Sequence, residues 1–253
     1  MDILTMKPVL LTCTAFVTVL LWHLIATNFF RPELFPGPLL VARTGLEMIY
    51  SGELAGHISI SMKRILVGFF VGSLIAIPLG LLMGVNKTIR TILEPYSQFL
   101  RFIPAIAWIT PMIIWFGIGE LSKVLLIIYT TIFIVLINTM VGVTNISENK
   151  IRSAQCLGAS PFQAFVYMTL PAALPFALTG MRLAMGNSFM TVVSAEMLAA
   201  ESGLGYLIFN ARLWMATDQI FIGIACLGAL GMLTDWVFRV LIRRYGHQYG
   251  AVE

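Results

Sequence analysis

Between Ile58 and Met83 the only charged side chains are Lys63 and Arg64. Five other long apolar stretches share this poverty of charge: 8–30, 96–118, 123–143, 176–199 and 220–242. A helix crosses the hydrocarbon of a bilayer in about 20 apolar residues, and its backbone polar groups are then satisfied within the segment. Six such runs predict an all-α integral membrane protein, a single transmembrane domain over 1–253. Composition agrees: 58% of the 253 residues are hydrophobic and 11% charged, whereas soluble domains carry about 25% charged residues. The first run is read as a span rather than a cleaved signal, because it is long and no small-x-small cleavage site follows.

The net charge of +4 does not point to nucleic acid, since the basic residues sit mostly at span ends. Lys7, Lys87, Arg90, Lys150, Arg152, Arg239, Arg243 and Arg244 fall on the side of the termini. Arg31, Arg43, Lys63, Arg64, Lys123 and Arg212 are spread over longer segments on the other. The asymmetry predicts that both termini and the 145–175 loop are cytoplasmic. Asp2 and Lys7 belong to a short start before the first span. Cys13, Cys156 and Cys226 fit neither a metal site nor a disulfide framework.

In chain order, Phe35–Pro38 is a turn cluster and Leu39–Tyr50 an amphipathic outer-surface helix. Gly68, Gly72, Ala76, Gly80 and Gly84 recur every four residues, a small-residue line that lets another helix approach closely. Pro78 should kink that helix. Val85–Glu94 reads as a short loop, and span three as one helix interrupted at Pro104 and Pro111. Arg101 within it either faces a water-filled cavity or snorkels to the inner surface. Gly117–Glu120 is a tight outer turn, not a phosphate loop, since no strand–helix context surrounds it.

Span five is the most polar. Asn187, Thr191 and Ser194 share one helical line, with Arg182 and Glu196 bracketing it on another. Hydrogen bonding between helices would explain such a line, but the bracketing charges favour a cavity-lining stripe, with Glu196 near the outer surface. Ser202–Tyr206 is a turn, and Leu207–Thr217 an outer surface helix. Span six carries Asp235 near its inner end. No acid is expected deep in a span.

The segment Arg152–Pro175 interrupts the apolar pattern. A turn at Gly158–Pro161 divides it into two short helices: Gly158 can enter the left-handed region, and Pro161 suits a first helical turn. Phe162, Phe165, Val166 and Leu170 then recur at helical spacing until Pro171 and Pro175 close the segment. Such apolar periodicity suits a knob offered to a soluble partner better than a free loop.

These residues resemble the cytoplasmic coupling loop of permease subunits of binding-protein-dependent ABC importers. Gly158 and Leu170-Pro171 match that loop, while Arg152-Ser153-Ala154 stands where the family usually has Glu-Ala-Ala. Further matches are Ile114–Glu120, Leu157–Pro175, Ala195-Glu196-Met197 and Ser202–Tyr206, which look like the branch serving nitrate, sulfonate, taurine and bicarbonate. The resemblance implies the type I importer permease fold in a bacterial cytoplasmic (inner) membrane. It implies a homodimer with a second permease subunit, an ABC ATPase dimer holding ATP and magnesium, and an extracytoplasmic solute-binding protein. This chain would have no cofactor and would not itself be an enzyme. Coupling would fall to Arg152, Ser153, Ala154, Gly158, Ala159, Ser160, Pro161, Phe162, Phe165, Leu170 and Pro171, moving spans four and five as ATP binds. The pathway residues would be Arg101, Arg182, Asn187, Thr191, Ser194 and Glu196, an arginine suiting an anion by charge and paired donors.

An ion-coupled secondary transporter is the competing class, but the two halves show no convincing repeat. A membrane enzyme would need clustered His, Asp or Glu, and the three histidines are scattered. Pyrimidine precursors or aromatic acids are alternative solutes within the same branch.

Overall fold

A computed structural model describes residues 3–246. Asp2 and residues 247–253 lie outside the described residues, as do the side chains of Lys7 and Lys150. Every regular element described is helical: α1 (Ile3–Phe29), α2 (Pro38–Tyr50), α3 (Glu53–Val85), α4 (Lys87–Arg101), α5 (Ala105–Phe116) and α6 (Glu120–Thr144). They are followed by α7 (Glu148–Cys156), α8 (Pro161–Ala164), a π-helical turn at Phe165–Thr169, α9 (Leu170–Ala199), α10 (Leu204–Leu213) and α11 (Thr217–Gly246). Among the described residues five helices are long and apolar enough to cross a membrane, and six if the bent α4–α5 pair counts as one.

The centre of the bundle is α6, gripped by α3 on one side and α9 on another. The small-residue line does what its spacing predicts. A Cβ on Gly68 would stand 2.6 Å from Ile127 Cβ, one on Gly72 2.8 Å from Thr131 Cβ, and one on Gly80 2.7 Å from the Leu136 carbonyl oxygen. Gly84 lies equally close to Val143. On the other flank, Gly142 makes room for Phe176 and Gly180 for Asn138. Lipid gives helices no hydrophobic reason to associate, so this close backbone approach, with the dispersion it permits, carries the cohesion. Ile65, Phe69, Ile127, Val135 and Val192 fill the space between the three helices and are completely buried.

Four expectations need correction. Val85–Glu94 is not a loop: Asn86 caps a helix from Lys87, accepting from the Thr88 and Ile89 N–H groups at 2.9 and 3.2 Å. Span three is two helices meeting at 97°. Pro104 causes the break, because it disfavours helical geometry at Ile103 and starts α5 anew, whereas Pro95 and Pro111 are carried inside α4 and α5. Pro171 and Pro175 close nothing. Helix runs from Pro161 to Ala199, with the π-turn accommodating the start of α9. Finally, the outer helix α10 begins at Leu204 and is packed into the bundle, with Leu204, Leu207 and Ala211 buried against α9 and α11.

α1 and α11 are peripheral: only 6% and 11% of their apolar windows are buried, against 39% for α3 and α6. Trp22 anchors α1, donating from Nε1 to the Pro36 carbonyl at 3.0 Å and stacking on Phe221 of α11.

Candidate functional site

The break between α4 and α5 opens a cleft of about 370 Å³ against the middle of α6 and α9. Arg101 stands at the end of α4, its guanidinium 4.8 Å from the centre of the Phe102 ring. Asn187, Thr191 and Ser194 of α9 line the opposite wall, so the helical line in span five faces a cavity. Tyr129 and Thr130 of α6 join them. The Tyr129 hydroxyl donates to the Leu100 carbonyl at 2.6 Å, fixing the last turn of α4 and with it Arg101. Thr130 and Thr191 hydroxyls meet at 3.3 Å and tie α6 to α9 within the cleft. Among the described residues lining it none is acidic. A cation with a planar fork of donors, hydroxyls and one amide is a donor-rich surface suited to an oxyanion.

Arg182 and Glu196 do not line this cleft. Arg182 pairs with Asp235 of α11, one contact being Nη2 to Oδ2 at 3.2 Å, and Asp235 also binds Arg239. Glu196 is completely buried by its neighbours, in the last turn of α9 at the end of the bundle where Glu120 is exposed. Arg64, expected among the spread outer charges, is buried beside it at 3% exposure.

Around that pair lies a connected network. Arg64 Nη1 donates to Glu196 Oε1 and to the Ser202 carbonyl, each at 2.7 Å. Its Nε and Nη2 grip both oxygens of Glu120, at the start of α6, at 2.7 and 2.6 Å. Ser61 donates to Glu196, while the Leu204 and Gly205 N–H groups donate to Ser61 Oγ and Glu196 Oε2. Gly203 N–H donates to His57 Nδ1 at 3.1 Å. Gly203 has φ +118°, and a Cβ there would collide with the Glu196 carboxylate; at Gly205 it would stand 2.6 Å from the Val193 carbonyl oxygen. The Ser202–Tyr206 motif is thus a backbone cradle for a buried acid, not only a turn. Arg64, Glu120, Ser61 and His57 escaped the sequence reading. The available signal was Arg64 itself, a charge inside a predicted span, which demands a partner.

The segment 145–175 lies at the other end of α6. Arg152, Ser153 and Ala154 are on α7, and the Ser153 hydroxyl is turned inward to the Asn149 carbonyl at 2.8 Å. Gly158 makes the turn at φ +88° with nothing within 4 Å of a would-be Cβ. Ala159 leads to Ser160, which forms a capping box with Gln163, and Pro161 is the first residue of α8. Phe162 is exposed, Phe165 half-buried, and Leu170 and Pro171 open α9. Leu157, Phe162 and Tyr167 are 89%, 74% and 79% exposed.

The family model described as "Binding-protein-dependent transport system inner membrane component" matches residues 76–247. The taurine transport system permease protein TauC of Escherichia coli K12 is 37% identical, over 95% of this chain and 90% of that protein. The putative aliphatic sulfonates transport permease protein SsuC of Bacillus subtilis 168 is 36% identical, over 90% of this chain and 83% of its own. Among solved structures, an inward-facing MetNI methionine ABC transporter shares the fold at TM-score 0.67 and 18% identity, covering 79% of this chain and 98% of that one.

Proposed function

The chain belongs to the family of binding-protein-dependent transport system inner membrane components, and on that footing we propose that a homodimer of it forms the translocation pathway of an importer for small sulfonates or similar anions. It is a multi-pass permease of the inner membrane and a component of an ABC importer. The ion-driven alternative is not favoured by that membership. ATP and magnesium belong to a separate ATPase dimer beneath the segment Arg152–Pro171. An extracytoplasmic binding protein delivers the solute, and both termini are cytoplasmic.

The observation that carries the anion reading is the cleft at the α4–α5 break. Arg101 contributes the attractive charge, with Asn187, Thr191 and Ser194 offering hydrogen bonds. Contacts of this kind suit transient passage, since nothing encloses the solute on all sides. Taurine and aliphatic sulfonates, named for the two relatives, carry a sulfonate group, two of whose oxygens an arginine fork can grip. Arg182 and Glu196, first read as pathway residues, serve as struts in this arrangement, since each is committed to an intramolecular ion pair. The exposed Leu157, Phe162 and Tyr167 supply the apolar face by which the ATPase is engaged.

The test is ATP-dependent uptake of labelled taurine by proteoliposomes holding the permease, its ATPase and its binding protein. Arg101→Ala should raise the half-saturating concentration of loaded binding protein or lower the uptake rate at least tenfold while ATP hydrolysis persists. Unchanged uptake by Arg101→Ala would remove the cleft from the pathway.

A further inference from the structure

A second cavity of about 470 Å³ lies at the end of α6 remote from Arg64, between the α3–α4 turn and the segment 146–169. Its volume falls in the range of small-molecule sites, roughly 300–1,000 Å³. Val143, Ile151 and Phe165 contribute apolar lining, and the charged residues among its described lining are Lys87 and Arg90, both cationic. Arg90 is half-buried, and its guanidinium has no ion pair among the described residues. The donor fork of Arg90 is therefore open to an anion. Beside it, Leu82 and Ile92 expose apolar side chains at 47% and 57%, a surface against which acyl chains can lie.

We propose that this cavity binds a phosphate-bearing anion, the headgroup of an anionic phospholipid, through Arg90. An arginine fork matches two phosphate oxygens, and basic pockets between membrane helices take such headgroups. The adjoining apolar flank favours a lipid over a soluble phosphate. The same cavity is lined by Pro161, Ala164, Phe165 and Thr169. A bound headgroup therefore bridges the α3–α4 turn to the coupling segment and makes that segment's position sensitive to membrane composition. This goes beyond the transport reading and does not depend on the identity of the solute.

The full chain, purified in nanodiscs of phosphatidylcholine with or without phosphatidylglycerol, is released and examined by native mass spectrometry for retained lipid. Wild type should keep phosphatidylglycerol, and Arg90→Gln should keep about tenfold less, as expected for losing a charge-assisted contact. Val85→Trp fills the cavity while leaving both charges and should also lose it; Val85→Trp decides the matter if Arg90→Gln fails to insert. Lys63→Gln, an exposed cation at the other end of α3, should retain lipid as wild type does. Equal retention by Arg90→Gln and Val85→Trp, or equal loss by Lys63→Gln, overturns the site. Displacement of the lipid by millimolar inorganic phosphate would keep the anion site and overturn the lipid as its source.

Discussion

Arg64 of α3 and Glu196 of α9 stand 132 positions apart in the chain, yet their side chains meet at 2.7 Å with 3% and 0% exposure. With Glu120 they tie α3 to the start of α6 and the last turns of α9, while the small-residue line holds α3 to α6 further along.

Breaking this pair should cost far more than replacing it. Glu196→Ala leaves a buried guanidinium with only the exposed Glu120 as its counter-charge, and we expect a loss of about 3–5 kcal/mol. The double change Arg64→Met with Glu196→Leu should recover most of it. Thermal unfolding in detergent, followed by size-exclusion fluorescence, reads both. A single mutant as stable as wild type would contradict the buried geometry.

Close packing on α6 predicts a graded response along the glycines. Gly80→Ala presses a methyl onto the Leu136 carbonyl oxygen, which as backbone cannot swing aside, and should cost about 1–3 kcal/mol. Gly228→Ala meets nothing within 4 Å and should be neutral or stabilising, because alanine favours helix. The same melting assay separates them.

At Gly158 the difficulty is torsional. Its φ of +88° is strained for any L side chain, although space around it is open. Gly158→Val should cost about 1–3 kcal/mol of local strain and uncouple ATP hydrolysis from the binding protein. Gly158→Asn, more tolerant of that region, should retain most coupling. ATPase stimulation in proteoliposomes is the measurement, with membrane insertion checked alongside.

Tyr129 positions Arg101 from a distance. Tyr129→Phe removes the hydrogen bond to the Leu100 carbonyl, worth about 1 kcal/mol. The half-saturating concentration for uptake should rise by about fivefold, with the maximal rate little changed. A fall in maximal rate alone would assign Tyr129 a different task.

What was legible in the sequence was whatever periodicity encodes. Apolar runs gave the helices, the four-residue spacing from Gly68 to Gly84 gave the α3–α6 seam, and Asn187, Thr191 and Ser194 gave one wall of the cleft. Illegible were features set by pairing across the chain. Nothing local to Glu196 announces Arg64, and nothing near Arg182 announces Asp235, so helical line and charge alone point both toward the pathway. Proline misled in one direction only: Pro104 breaks the helix as its position predicts, whereas Pro111, Pro171 and Pro175 are carried within helices.

The uninterrupted run from Pro161 to Ala199 spans 39 residues, roughly 58 Å along its axis. Its first turn belongs to the exposed knob and its last holds Glu196, with the cleft residues strung between. Along this shaft the regular hydrogen-bond ladder is altered at the π-turn of Phe165–Thr169 and at Pro175, which has no N–H to donate, so bending under a load at one end would fall on these two places.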